Sequence, residues 1–263
     1  SQNWETPIDK SDQSTYKEIY KLMPAHGMLI QHWGVGHAQV SWDIRQNEKI
    51  LKIFEEFWGT ENLLVSFDGM SLGIAPEITN RGWQRDTWFH SDQSFTRNKF
   101  EGIQSWVTAL DVEEGDATLA YLEGSHKYHK AFAKKFNITN KADWYKLNYE
   151  EENFFMDCPK RKIICPKGSL VIWDSRTIHC GSSPTKGRFN PKHRAVIYLS
   201  YSPRNDKSLI KKKQKAFEEL RTTTHHSSKV KLFPKFPRSY GADLPEIAEI
   251  NNPKVDKLYL AGY

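Results

Sequence analysis

The stretch PKGSLVIWDSRTIHCGSSP, residues 166–184, decides how this chain is read. It opens on a Pro-Lys-Gly turn, runs through branched and aromatic residues to His179, and closes on Gly181 and Pro184. An apolar run between Gly and Pro turns is a strand pattern. The pattern recurs on both sides. Upstream lie TWFHSDQSF (87–95), IQSWVTALDV (103–112), TLAYLEGSH (118–126) and KRKIICP (160–166); RAVIYLSYSP (194–203) follows. Many short strands separated by Gly, Pro and Asp turns predict a β-sandwich or jelly roll.

Helical patterns flank this region. STYKEIYKLM (14–23) has Ser14 as its candidate cap. NEKILKIFEEFWG (47–59) offers Asn47 as cap, a face of Ile50, Phe54, Phe57 and Trp58, and Gly59 at its end. NLLVSFDGMSLGIA (62–75) reads as a strand pair or one long strand bent at Asp68 and Gly69. LIKKKQKAFEELR (209–221) reads as a helix again. The expected architecture is one domain, mainly β with added α. Residues 1–60 form a helical N-terminal support, and 61–203 a jelly-roll core with a partly helical insertion at 126–157. Residues 204–263 form a C-terminal helix and tail.

Charged residues are 27% and aromatic ones 13%, with nine tryptophans, a folded and not a disordered composition. The longest apolar runs fall far short of the roughly 20 residues of a membrane span. No signal-peptide pattern is visible. The cysteines Cys158, Cys165 and Cys180 form no CxxC pair, which disfavours a structural zinc site or disulfide scaffold and fits a reducing, cytoplasmic setting. The net charge is +6, with the excess concentrated in KSLIKKKQKAF (207–217) and SSKVKLFPKFPR (227–238). A solvated helix face and basic tail is one reading; a surface for an anionic partner such as nucleic acid is the other.

The chemistry centres on His90 and Asp92. Residues i and i+2 of a strand share a face, so both side chains can reach one point. The pair alone is more often structural than a ligand set. His179, near the end of a later strand, supplies a third ligand. Two histidines and one carboxylate make a facial triad with open positions, suited to Fe(II) that must bind a co-substrate and O2. A dicarboxylate co-substrate such as 2-oxoglutarate needs a fixed cation for its far end, and arginine's planar fork suits it. Arg194 opens the strand expected to lie beside that of His179, and Arg188, in the loop TKGRFNPK, is the rival. Ser182 or Ser183 could add a hydroxyl. Gln104, Trp106 and Thr108 share one strand face; Trp106 is either core or cavity wall, while buried Gln104 and Thr108 need polar partners. Gly124, Ser125 and His126 read as a turn. The segment around Ser66–Ser71 could border the site, and Arg85 and Trp88 flank the iron motif. RTTTHHSS (221–228) is a polar cluster whose default reading is a solvated loop and whose alternative is substrate contact; adjacent His225 and His226 point apart, which disfavours them as metal ligands.

HSD, EEGDATLAYLEGSHK, KGSLVIWDSRTIHCGSSP and RAVIYLSY, in this order and spacing, resemble the phytanoyl-CoA dioxygenase family of Fe(II)/2-oxoglutarate oxygenases. The resemblance covers residues 62–203. It implies a double-stranded β-helix (a jelly-roll, cupin-like core), His90, Asp92 and His179 on iron, and Arg194 on 2-oxoglutarate. It also implies that the IQSWVTAL strand lines the co-substrate pocket. The halogenating branch lacks the carboxylate ligand, so Asp92 implies hydroxylation. A small organic substrate is the expected partner, and TKGRFNP lengthens the usual link to the arginine, leaving Arg188 open.

Overall fold

The stretch 166–184 is two strands, not one. In the computed structural model, Leu170–Asp174 ends in a turn and the chain resumes as His179–Ser182 in a different sheet. The break has a local cause. Asp174 Oδ1 accepts the Arg176 amide at 2.9 Å, an Asx turn, and Thr177 N closes on Asp174 O at 2.9 Å. The structure describes residues 6–23, 28–80, 83, 87–225, 230–239, 241, 243–247 and 250–263.

In chain order the strands are β1 (Leu29–Ile30), β2 (Leu63–Val65), β3 (Met70–Gly73), β4 (His90–Ser91), β5 (Ile103–Thr108) and β6 (Thr118–Leu122), then β7 (Tyr145–Lys146), β8 (Lys160–Lys162), β9 (Leu170–Asp174), β10 (His179–Ser182), β11 (Arg194–Leu199) and β12 (Tyr201–Pro203). They form two five-stranded antiparallel sheets, ordered β1-β3-β11-β5-β9 and β7-β4-β10-β6-β8, and a β12-β2 ribbon. Trp106 of β5 and Val196 of β11 pack across the gap on Leu119 of β6. This is the expected double-stranded β-helix.

One expectation fails. β11 does not lie beside β10: it pairs with β3 and β5, while β10 pairs with β4 and β6. The successive strands β9, β10 and β11 alternate between the two sheets, so His179 and Arg194 approach the interior from opposite sides. The 62–75 stretch also divides, β2 joining the ribbon and β3 the first sheet.

The helices are α1 (Gln39–Arg45), α2 (Glu48–Trp58), α3 (Pro76–Thr79), α4 (His129–Lys135), α5 (Tyr149–Asn153) and α6 (Lys207–Glu218). Asn47 caps α2, its side chain accepting the Lys49 amide at 3.0 Å, and Gly59 ends it in the left-handed region at φ 64°. Its buried stripe is Leu51 and Phe54; Phe57 is half exposed and packs edge-on against Trp58 instead. The 14–23 pattern forms a 3-10 helix, Gln13–Leu22, capped by Asp12 and not Ser14. Trp42 of α1, Phe54 of α2 and Ala216 of α6 share one core with Leu199 and Tyr201. Burying a side chain such as Phe54 contributes about 2–3 kcal/mol, so these helices brace the β11–β12 segment.

The 126–157 insertion does more than decorate. Phe132 of α4 stacks between Phe95 and Phe155, with ring centroids 4.2 and 5.3 Å away. β7 adds to the second sheet with Lys146 opposite His90, which carries the half-exposed Trp144 to the cavity wall. Among the described residues no helix is long and apolar enough to cross a membrane.

Candidate active site

Antiparallel pairing of β4 and β10 sets His90 directly opposite His179. Asp92 follows β4, and one ligand atom from each of the three residues lies within 4.8 Å of the others. All three are buried, at 4–5% exposure. His90 Nδ1 faces Trp88 O at 3.2 Å, and His179 Nδ1 faces Thr177 O at 2.9 Å. A carbonyl only accepts, so each Nδ1 carries the proton and turns Nε2 inward. Trp88 stacks on His90, centroids 4.8 Å apart and 7° from parallel, and fixes the ring plane. Phe89 points the other way, into the core, as strand alternation requires.

A cation fits this donor set. Burial first, then the neighbouring His179, lowers His90 to about 4, so its imidazole is neutral at pH 7. Its Nε2 then offers a lone pair to Asp92 Oδ1 at 3.6 Å. Two acceptors face each other with no proton between them, an arrangement a metal ion satisfies. Burial would raise the Asp92 carboxyl. The charge of His225 and the hydrogen bond it donates outweigh it and hold Asp92 well below the usual carboxylate range.

The triad opens on a cavity of about 680 Å³, walled in part by Trp88, Trp144, Trp173, Tyr198 and Leu119. Arg194 enters it from β11. Its guanidinium is buried, donates from Nη1 to Ser71 Oγ, and lies 6.0 Å from the Trp106 ring centre. No carboxylate among the described residues pairs with it. Arg188 differs: it is held by Asp116 at 2.6 Å and Glu77 at 2.8 Å, and does not line the cavity. Of the two arginines, only Arg194 presents an unneutralised cation to the site.

Gln104 lines the cavity and donates to Asp92 Oδ2 at 2.8 Å, while its Oε1 is buried without a partner among the described residues. Trp106 is core, serving as a floor beneath Arg194. Thr108 and Ser182 are not brought to the cavity: Thr108 Oγ1 donates to Leu110 O at 2.6 Å, and Ser182 Oγ to Ser183 O at 3.3 Å. Ser125 opens a short 3-10 helix, Ser125–Tyr128, and accepts the Ile178 amide. Arg85 and His226 lie outside the described residues.

The polar segment 221–225 is not a solvated loop. Thr223, Thr224 and His225 form part of the cavity wall, and His225 Nε2 donates to Asp92 Oδ2 at 3.0 Å. Burial would lower His225, but the charge of Asp92, their hydrogen bond and the charge of Asp68 raise it to about 9. With 36% of the side chain open, the Asp92 contact decides the direction. Asp68, also on the wall, is pushed up to about 6 by burial against His225 and Arg45. The THH pattern was the signal for His225, and its role is to touch a ligand of the triad. Trp144 and Lys146, also on the wall, carried no signal, because only the β7–β4 pairing places them there.

The family description Phytanoyl-CoA dioxygenase (PhyH) matches residues 4–189. The chain belongs to the phytanoyl-CoA dioxygenase family. Proteins of that family are Fe(II)- and 2-oxoglutarate-dependent enzymes. The Ava biosynthesis cluster protein O of Aspergillus versicolor is 26% identical over 187 residues, 67% of this chain and 59% of that protein. The chain thus spans less than two thirds of that relative. Among solved structures, GlcNAc Inducible Gene 2 of Candida albicans is 14% identical with a TM-score of 0.54, over 97% of this chain and 70% of that one. AviO1 of Streptomyces viridochromogenes is 15% identical with a TM-score of 0.44, over 67% of each chain. The Candida likeness is one of fold. In phytanoyl-CoA dioxygenase terms, the match ends before β11, so Arg194 and His225 lie beyond it.

Proposed function

We propose that this chain hydroxylates a C–H bond of a small organic molecule, with Fe(II) held by His90, Asp92 and His179 and 2-oxoglutarate anchored by Arg194. The observation that carries the proposal is the convergence of a buried His-Asp-His set and an unneutralised buried arginine on one cavity. Iron, when bound, couples O2 activation to the oxidative decarboxylation of 2-oxoglutarate, giving succinate and CO2.

The chain's own residues bind, orient and exclude water. Nδ1 contacts to Trp88 O and Thr177 O aim the two imidazoles, and Trp88 prevents His90 from rotating. Arg194, steadied by Ser71 and Trp106, binds the far carboxylate of 2-oxoglutarate. Three tryptophans in the wall limit water near the reacting centre.

A small substrate is favoured by the cavity. Its volume exceeds what 2-oxoglutarate needs and lies within the range of small-molecule sites, roughly 300–1,000 Å³. The Aspergillus relative is named as a protein of a biosynthesis cluster, which supports the same choice. The lysine run of α6 presents Lys207, Lys211, Lys212 and Lys215 to solvent, whereas Lys213 is buried under Phe67. Asp92→Ala should abolish Fe(II)-dependent succinate formation from 2-oxoglutarate; undiminished succinate from a folded variant would remove Asp92 from the ligand set.

A further inference from the structure

We propose that His225, on the C-terminal segment beyond the family match, is a positioning residue of the metal site that holds Asp92 to the ion through one oxygen. The inference rests on the ligand set proposed above.

The two oxygens of Asp92 have different surroundings. Oδ2 accepts from Gln104 Nε2 at 2.8 Å and from His225 Nε2 at 3.0 Å, and the lone pair of His179 Nε2 stands 3.2 Å from it. Among the described residues Oδ1 has no such donor; it faces His90 Nε2 at 3.6 Å, which carries a lone pair. Two N–H donors occupy the lone pairs of Oδ2 and leave Oδ1 for a cation. A carboxylate so held fills one coordination position. That matters because a chelating co-substrate takes two positions and O2 a third, so a carboxylate bound through both oxygens would close one of them.

His225 is held firmly enough for this role. Phe67 and Thr223 clamp each other, with Thr223 N donating to Phe67 O at 2.9 Å and Phe67 N to Thr223 Oγ1 at 3.0 Å. On the other side Thr224 N donates to Lys231 O at 3.0 Å and Phe233 N to Thr222 O at 2.9 Å. Just upstream, Arg221 donates twice to Phe233 O, and Arg221 O contacts His37 Nε2 at 3.1 Å. The segment is an anchored arm, fixed to the edge of the barrel on one side and to residues 231–233 on the other. It brings an imidazole to a metal ligand from outside the jelly roll. Gln104 comes from β5 within the barrel, so the two donors to Oδ2 have independent supports.

The test uses the metal-free purified chain, Co(II) as the probe, and His225→Ala and His225→Gln. Gln places an amide N–H close to where the histidine Nε2 stands. Outer hydrogen bonds to ligands change metal affinity about 10- to 100-fold, so His225→Ala should weaken Co(II) binding about tenfold and alter its visible spectrum. His225→Gln should retain both affinity and spectrum, and thermal melting checks that the variants fold alike. An alanine variant with wild-type affinity and spectrum would overturn the inference, as would a glutamine variant as weak as alanine. Failure of the wild-type chain to bind Co(II) would overturn the ligand assignment itself and this inference with it.

Discussion

Replacing Arg194 by methionine separates its role from that of Arg188. Met keeps much of the side-chain volume over Trp106 and removes the charge. A hydrogen bond to a charged group contributes about 1.5–3 kcal/mol, so two of them to a carboxylate end amount to about 3 kcal/mol at the lower limit. At about 1.4 kcal/mol per tenfold, the apparent KM for 2-oxoglutarate should rise a hundredfold or more. Saturating co-substrate should recover most of kcat, because the metal-binding end of 2-oxoglutarate is untouched. Arg188→Met should do the opposite. It leaves Asp116, whose side chain is 7% exposed, without its partner. Breaking a buried ion pair costs about 3–5 kcal/mol, so its Tm should fall while the KM for 2-oxoglutarate stays within a few-fold of wild type. The assay is succinate formed against 2-oxoglutarate concentration, with Tm recorded for each variant. A large KM rise in Arg188→Met, or none in Arg194→Met, would refute the assignment.

Two further predictions concern the frame around the site. A Cβ on Gly69 would stand 2.0 Å from Ile30 O, a backbone atom that cannot turn aside; Gly69→Ala should therefore cost about 2–4 kcal/mol in chemical denaturation, and an unchanged midpoint would contradict the close β1–β3 approach. Burial lowers the Lys213 ammonium to about 7, against the pull of Asp68. Its folded value lies below the unfolded one of about 10.4, so the unfolded chain binds more protons between those values and stability rises with pH across that window. Lys213→Met should flatten this rise in denaturation midpoints measured at pH 7.5 and 9.5; an unchanged slope would show that Lys213 is not its source.

Much of the site was legible in the chain. His90 and Asp92 stand two residues apart where β4 runs into the following bend, the distal His179 opens β10, and Asn47 and Gly59 mark both ends of α2 as local chemistry dictates. What could not be read was which strands are neighbours. VIWDSRTIHCG contains its own Asx turn at Asp174, and that turn sends β10 to the opposite sheet from β11. Arg194 was therefore placed correctly at a strand start but beside the wrong partner. The choice against Arg188 rested on Glu77 and Asp116, distant residues whose approach no local pattern reveals. Thr108 has the right parity on β5, but its hydroxyl turns to Leu110 O, a competition between local backbone and cavity that periodicity does not resolve. His225 was missed for a related reason: its position depends on the clamp between Thr223 and Phe67, a contact 156 residues apart in sequence.

The most direct test of the ligand set is a crystal structure of the protein with Mn(II) and 2-oxoglutarate. One ion bound by His90 Nε2, His179 Nε2 and a single oxygen of Asp92, with the far carboxylate of 2-oxoglutarate on Arg194, is the result expected. An ion held elsewhere, or a 2-oxoglutarate carboxylate seated away from Arg194, would contradict it.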